Sequence, residues 1–150
     1  MISRFIIILW AAFALSYTVR AQDPVRWTYT ATRLDSHTFE VHLTATLADG
    51  WHIYAQDQPE EAIAVPTRID FKANPLVTAI GKPREVGKKE VQKVDVIDIK
   101  QFQYAHSVDF VQKITLKAAV KTSFSGTVTF QACTDKQCLP PKEEAFNFLL

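Results

Sequence analysis

Polar and apolar residues alternate along most of the chain, and the alternation is most regular over residues 38–47. There every odd position from Phe39 to Leu47 is apolar and every even position is polar. A period of two places the apolar set on one face of a strand, so this segment is predicted as a half-buried strand. Similar alternation or a β-rich run predicts further strands at 27–32, 51–54, 67–71, 76–80, 94–99, 108–116, 127–132 and 146–150.

Turn signals separate these strands, at Ala48-Asp49-Gly50, Asn74-Pro75 and Gly81-Lys82-Pro83. Glycine, proline, aspartate and asparagine favour turns because of their backbone preferences. Residues 85–93 are charged and poorly periodic, so a loop, an edge strand or a short helical turn all fit them. Residues 101–106 lie between two strand-like runs and have no core periodicity of their own. Polar Gln112 interrupts a long apolar strand, where a bulge is one option.

Many short strands with turns between them and no amphipathic helix indicate an all-β domain. We therefore predict an immunoglobulin-like β-sandwich with the cysteine pair on a hairpin, and a closed barrel is the alternative. The chain has 150 residues, which suits a single domain that can bury a core of its own.

The amino terminus has the layout of a secretory signal peptide. Arg4 precedes an almost wholly apolar run from Phe5 to Tyr17, and Val19-Arg20-Ala21 supplies small residues for cleavage. The run is shorter than the roughly 20 residues of a membrane-spanning helix, so cleavage after Ala21 is favoured over an uncleaved anchor. The expected domains are thus a signal peptide at 1–21 and an exported domain at 22–150, without stable membrane insertion after cleavage.

The exported domain is nearly neutral in charge. Cleavage removes two of the 17 basic residues and leaves all 16 acidic residues. This balance gives no reason to expect a nucleic acid or an anionic membrane surface as a partner.

The chain contains two cysteines, Cys133 and Cys138, with four residues between them. Because alternation upstream places Val128, Phe130 and Ala132 on the core face, we expect Cys133 to point away from the core. Polar residues 134–137 are compatible with a hairpin loop. Opposed residues of antiparallel strands have Cα atoms roughly 4.5–5.5 Å apart, a distance that a disulfide tolerates. The two thiols can therefore pair with each other.

Two functions fit such a bond. Closing so short a loop stabilises a fold by only about 2 kcal/mol in the chain-entropy model, and short exposed disulfides are often the labile ones. Export also favours a persistent disulfide with no unpaired thiol. From the residues alone, redox exchange and a structural clip are both open.

Other candidate chemistry is weak. The histidines do not have the spacing of metal ligands, and the two cysteines lack a second pair of ligands. No serine lies in a nucleophile-elbow pattern, and no glycine-rich run could hold a phosphate. We therefore expect no metal ion and no other cofactor.

The segment Phe102-Gln103-Tyr104 has two interpretations. Its aromatic residues could fill one side of the sandwich from an edge strand. Alternatively, they could form a flap over the cysteines, where shielding would control the access of other thiols.

Three motifs together resemble the amino-terminal periplasmic domain of the DsbD family of thiol-disulfide reductants. They are residues 50–54 (Gly-Trp-His-Ile-Tyr), residues 65–67 (Val-Pro-Thr) and the run from Cys133 to Cys138-Leu139-Pro140-Pro141. The resemblance covers essentially the whole exported domain. The cysteine motif is fairly specific, whereas the other two are weak alone.

The resemblance implies an immunoglobulin-like fold in which the cysteine pair relays electrons. A membrane-linked thioredoxin-like domain would be the donor, and oxidised periplasmic thioredoxin-like proteins would be the acceptors. Cys138 would form mixed disulfides with these partners, Cys133 would resolve them, and residues 102–104 would form an aromatic cap loop.

The chain departs from the family in two respects. It has four residues between the cysteines, where better-known members have five. It also ends at Leu150, so we expect the electron donor to be a separate protein and this chain to act as a stand-alone protein-disulfide reductase component.

Overall fold

The computed structural model describes residues 23–94 and 99–150, and within these ranges it contains nine strands and no helix. The predicted signal peptide lies outside the described residues. The described part of the chain has no helix with the length and hydropathy of a membrane span. The strands are β1 (Val25–Arg33), β2 (Thr38–Leu47), β3 (His52–Tyr54), β4 (Arg68–Phe71), β5 (Val77–Val94), β6 (Ile99–Leu116), β7 (Ser123–Phe130), β8 (Ala132–Cys133) and β9 (Lys142–Leu149).

The strands form two antiparallel sheets. The larger has the order β1-β2-β6-β3-β8, with β5 also paired to β6, and the smaller has the order β4-β7-β9. Apolar residues at alternate positions of both sheets, among them Leu43, Phe110, Phe130 and Phe146, meet in one buried cluster. The prediction of an immunoglobulin-like sandwich is confirmed, and the barrel alternative is wrong because the two sheets are separate.

Strands β5 and β6 form one long hairpin, which sequence patterning divided into several pieces. Strand β5 continues through Gly81-Lys82-Pro83 by a register shift between Ile80 and Arg84, so these residues form an irregularity and not a break. No side chain of residues 77–93 is buried, which explains why this strand has no apolar periodicity. Opposite the shift lies Gln112, which is fully buried and donates Nε2 hydrogen bonds to the carbonyl groups of Ile80 and Lys113.

The chain changes sheets at Gln131. Strand β7 ends at Phe130 in the smaller sheet, and β8 begins at Ala132 in the larger sheet. Both residues of β8 are buried. The alternation of burial along β7 thus continues in phase to Ala132, and Cys133 differs only in being buried as well.

Candidate functional site

Cys133 and Cys138 form a disulfide across a tight hairpin. Their Cα atoms are 4.0 Å apart, and the two residues form an antiparallel β-bridge. The prediction that the two thiols pair across a hairpin is confirmed.

Backbone hydrogen bonds hold both ends of the hairpin in place. The N–H of Thr134 donates to the carbonyl of Gln137 at 2.7 Å, and the N–H of Leu139 donates to the carbonyl of Ala132 at 2.9 Å. Within the loop, Thr134 Oγ1 accepts from the N–H groups of Lys136 and Gln137, each at 3.2 Å. The loop conformation is thus determined by hydrogen bonds as well as by the sulfur bridge.

The two cysteines differ sharply in exposure. Cys133 is fully buried at 0 % exposure, whereas Cys138 is exposed. By strand register, Cys133 lies on the face opposite Ala132 and the main apolar cluster, in agreement with the expected direction, but it is covered and not exposed. One cysteine is therefore open to solvent and the other is enclosed.

Strand β3 lies between the cysteine hairpin and β6. His52 is directly opposite Cys133 on one side and Ala105 on the other, and Ile53 is likewise opposite Ala132. The His52 side chain is 4 % exposed. Its ring meets the Tyr54 ring edge-on, with centroids 5.4 Å apart.

Burial changes the acid–base properties of these two side chains. Burial lowers the pKa of His52 below 6.5, although the carboxylates of Asp135 and Glu90 oppose this shift. Burial also raises the pKa of Tyr54. The imidazole beside Cys133 is therefore neutral at pH 7.

The predicted cap residues, Phe102, Gln103 and Tyr104, lie within strand β6 and not in a loop. They pair with β5 on one side, and Gln103 and Tyr104 also pair with β3 on the other. The backbone of Phe102 is further fixed by Gln58, whose side-chain amide donates to its carbonyl at 2.6 Å and accepts from its N–H at 2.9 Å. Because backbone pairing holds this segment in the sheet whatever its side-chain pattern, the alternation of polar and apolar residues did not predict it as a strand.

The three cap residues divide between the two faces of the sheet. By strand register, Gln103 shares a face with His52 and Cys133, and Tyr104 shares the other face with Ile53. Tyr104 is 1 % exposed within the core, and Phe102 is half-buried against it. Their action as a cap over the cysteines stays a prediction.

Glu85 was not identified as important from the sequence, yet it is the centre of a polar cluster. Its carboxylate accepts hydrogen bonds from Tyr104 Oη at 2.7 Å and from the N–H of Gln56 at 2.6 Å, and it lies 2.9 Å from Lys89 Nζ. Burial alone raises the pKa of Glu85, but these partners outweigh it and hold the pKa below 4.5. No local motif marks this residue, since Gln56 and Tyr104 are distant from it in sequence.

An apolar groove adjoins the exposed cysteine. It has a volume of about 390 Å³, and Leu139, which follows Cys138, is 38 % exposed at its surface. One end is bounded by Lys142, which forms ion pairs with Asp23 and Glu144. The groove is lined by Asp23, Pro24, Phe130, Ala132, Leu139, Pro140, Pro141 and Lys142.

The remaining histidines lie away from the disulfide in the strand order. His42 Nδ1 is 2.7 Å from Asp109 on strands β2 and β6, and His37 contacts Ser36 in the turn before β2. His106 has a positive φ of 63° within β6. No group of three or more metal-ligating side chains is found among residues 23–94 and 99–150.

Three solved structures of bacterial protein domains align with the chain. The N-terminal periplasmic domain of ScsB from Proteus mirabilis aligns with a TM-score of 0.55 at 19% identity, over 87% of this chain and 48% of that chain. The reduced N-terminal domain of Neisseria meningitidis DsbD aligns with a TM-score of 0.48 at 17% identity, over 82% and 84%. The same domain in complex with the PilB N-terminal domain gives 0.49 at 17% identity, over 81% and 80%.

Family membership rests on the sequence itself. No curated protein sequence matches the chain significantly. The family model for the N-terminal region of the thiol:disulfide interchange protein DsbD, however, matches residues 19–150. This range includes the disulfide, both sheets and the groove. The chain belongs to the family of DsbD N-terminal domains, and its Cys133–Cys138 pair is that of a thiol–disulfide exchange domain.

Proposed function

We propose that this protein is a periplasmic electron relay that works through reversible opening of the Cys133–Cys138 disulfide. It takes electrons from a membrane-linked thioredoxin-like donor and passes them to oxidised thioredoxin-like proteins of the periplasm. In this proposal Cys138 exchanges with partners and Cys133 resolves the mixed disulfides. Residues 1–21 serve as a signal peptide that is removed on export.

The observation that carries the proposal is the difference in exposure between the two cysteines. An attacking thiolate must approach a disulfide sulfur directly, so only an accessible sulfur can react with a second protein. Cys138 is exposed beside an apolar groove, while Cys133 is fully buried. A structural clip has no need of either the asymmetry or the adjoining groove.

Reduction of the pair takes two displacement steps. A donor thiolate first attacks Cys138 Sγ, the Cys133–Cys138 bond breaks, and Cys133 Sγ leaves with the electron pair. The second donor thiolate then attacks the donor sulfur of the mixed disulfide, and Cys138 Sγ leaves as a thiolate. Two electrons and two protons have then passed to the pair, and the donor holds a disulfide. Delivery to an oxidised partner runs the same steps in reverse.

Equilibration with glutathione and with thioredoxin tests the relay. A relay pair should exchange with both and show a measurable reduction potential. A pair that stays oxidised far below about −300 mV would behave as a structural disulfide. That result would instead favour an immunoglobulin-like binding module with a hairpin clip.

Trapping tests the assigned roles of the two cysteines. In the Cys133→Ser variant, Cys138 should capture partner proteins as mixed disulfides that cannot be resolved. The Cys138→Ser variant is the matched control and should capture few, because its remaining thiol is buried. Equal capture by both variants, or capture by Cys138→Ser alone, would contradict the assignment.

A further inference from the structure

We infer that His52 is the proton acceptor for the Cys133 thiol when this cysteine resolves a mixed disulfide. The inference rests on the proposed relay and assigns a role in it to a residue other than the two cysteines. It comes from the position of one buried histidine beside one buried cysteine.

Strand register places the two residues side by side. His52 and Cys133 are directly opposed on antiparallel strands β3 and β8. Opposed residues project from the same face of a sheet, with Cβ atoms roughly 4.5–5.5 Å apart. The imidazole and the sulfur are therefore neighbours within the same buried layer.

The imidazole has an unused nitrogen. His52 is 4 % exposed, and its Nε2 is buried without a hydrogen-bond partner among the described residues. Such an unpaired polar atom in the interior destabilises the folded protein. A thiol S–H formed at Cys133 on reduction would give this nitrogen a donor.

Burial of Cys133 creates the need for such a group. A thiolate is the reactive form of cysteine, and burial in apolar surroundings raises the pKa of a thiol. Water cannot readily remove the proton, because Cys133 is 0 % exposed. The positions on β6 that share this face, Gln103 and Ala105, do not titrate.

The charged groups that act on His52 favour proton uptake. They are the carboxylate of Asp135 in the loop between the cysteines and that of Glu90 on β5. Tyr54, the titratable neighbour on the same strand, is neutral because burial raises its pKa. A proton received from Cys133 is thus stabilised by two carboxylates.

Resolution of the mixed disulfide moves one proton and forms one sulfur–sulfur bond while another breaks. Cys138 is joined by a mixed disulfide to a partner protein, and the Cys133 S–H gives its proton to His52 Nε2. The Cys133 thiolate attacks Cys138 Sγ and forms the intramolecular disulfide. The bond from Cys138 to the partner breaks, and the partner sulfur leaves with the electron pair and takes a proton from solution. His52 then releases its proton to solution.

A small aromatic disulfide that releases a coloured thiolate separates the two steps. Reaction of the reduced protein at Cys138 releases one thiolate, and attack by Cys133 releases a second. In His52→Gln we expect the second release to slow by about tenfold or more near pH 7, since general base catalysis contributes at least that much. Its pH midpoint should also move upward, while the first release changes less than about twofold. His42→Gln, on strand β2, is the matched control and should behave as wild type.

A wild-type titration makes the test independent of how well the variant folds. By linkage, a proton shared with the thiol pair requires that the pKa of His52 differ between redox states. NMR titration should give a lower imidazole pKa in the reduced protein than in the oxidised one, because the Cys133 S–H donates a hydrogen bond to the neutral imidazole and stabilises it. An unchanged pKa, or an unchanged second release in a folded His52→Gln variant, overturns the inference. Absence of a second release in wild type would overturn the relay itself.

Discussion

Tyr104 Oη donates a 2.7 Å hydrogen bond to the Glu85 carboxylate, although the two residues are not opposite each other in the β5–β6 ladder. Tyr104 is opposite Lys89, and Glu85 is opposite Phe110. The bond spans the register shift between Gly87 and Lys89. It therefore connects the part of the hairpin beside β3 to the part beside β2.

The first prediction concerns this bond. Tyr104→Phe should lower the free energy of unfolding by about 1.5–3 kcal/mol, because the acceptor is a charged carboxylate. Urea denaturation measures the loss. Tyr54→Phe removes a phenol that forms no hydrogen bond with residues 23–94 or 99–150, and it should cost clearly less. Equal losses in the two variants would show that the Glu85 contact contributes nothing specific.

The second prediction separates a cap from core packing. Phe102 is half-buried, so Phe102→Ala should speed alkylation of the reduced thiols if it covers them, with a modest loss of stability. Tyr104 is 1 % exposed, so Tyr104→Ala should cost about 3–5 kcal/mol, as removal of a core aromatic does. Alkylation kinetics measure the access to the thiols, and melting curves measure the stability of each variant. If Phe102→Ala leaves the alkylation rate unchanged, this residue is not a cap.

The third prediction concerns the close packing of Gly126. A Cβ atom at this position would lie 2.2 Å from the Asp70 carbonyl oxygen and 2.6 Å from the Phe146 ring. Gly126→Ala should therefore destabilise the protein by about 1–3 kcal/mol or more through overpacking. Gly50→Ala is the control: it has open space but a φ of +78°, so its cost should be only about 1 kcal/mol. A smaller loss at Gly126 than at Gly50 would contradict the packing.

The fourth prediction concerns pH. The pKa of His52 is lowered by burial from 6.5, so below this pH the unfolded chain binds more protons than the folded protein. The free energy of unfolding should therefore fall as the pH decreases from about 7.5 to about 5.5. His52→Gln should lack this part of the decrease, and His42→Gln should keep it. Urea titrations at both pH values measure the difference, and equal slopes in wild type and His52→Gln would contradict it.

The fifth prediction concerns the groove. Leu139 is partly exposed directly after Cys138, so Leu139→Ser should slow exchange with thioredoxin if partners dock there. Exchange with glutathione, which is too small to need the groove, should be nearly unchanged. Leu149→Ser, at an 83 % exposed leucine at the opposite end of β9 from the groove residue Lys142, is the control and should affect neither reaction. Parallel losses with both thiols would indicate a change at the sulfur and not in docking.

The sequence was most informative where one face of a strand is buried. Strand β2 and the final strand with Phe146 and Phe148 alternate in the sequence as they do in the structure. For strand β5 the sequence predicted a strand at 76–80 and left residues 85–93 open, because no side chain from 77 to 93 is buried and backbone pairing leaves no side-chain pattern. An edge strand of this kind can be recognised only through its partner.

The site shows a different limit. The pairing of the cysteines followed from their spacing, because a hairpin is a local structure. The burial of Cys133 and of His52 did not, because each depends on strands that are distant in sequence. Alternation indicated which face of the strand Cys133 occupies, but it carries no information about what covers that face.

The backbone hydrogen bonds around the hairpin have a consequence for the reduced state. The bonds from Thr134 to Gln137 and from Leu139 to Ala132 do not involve sulfur, so opening the disulfide leaves them intact. The two thiols then remain close together and have a high effective concentration toward each other. Any mixed disulfide at Cys138 should accordingly be short-lived. The rigidity of the hairpin thus sets how long a partner stays attached.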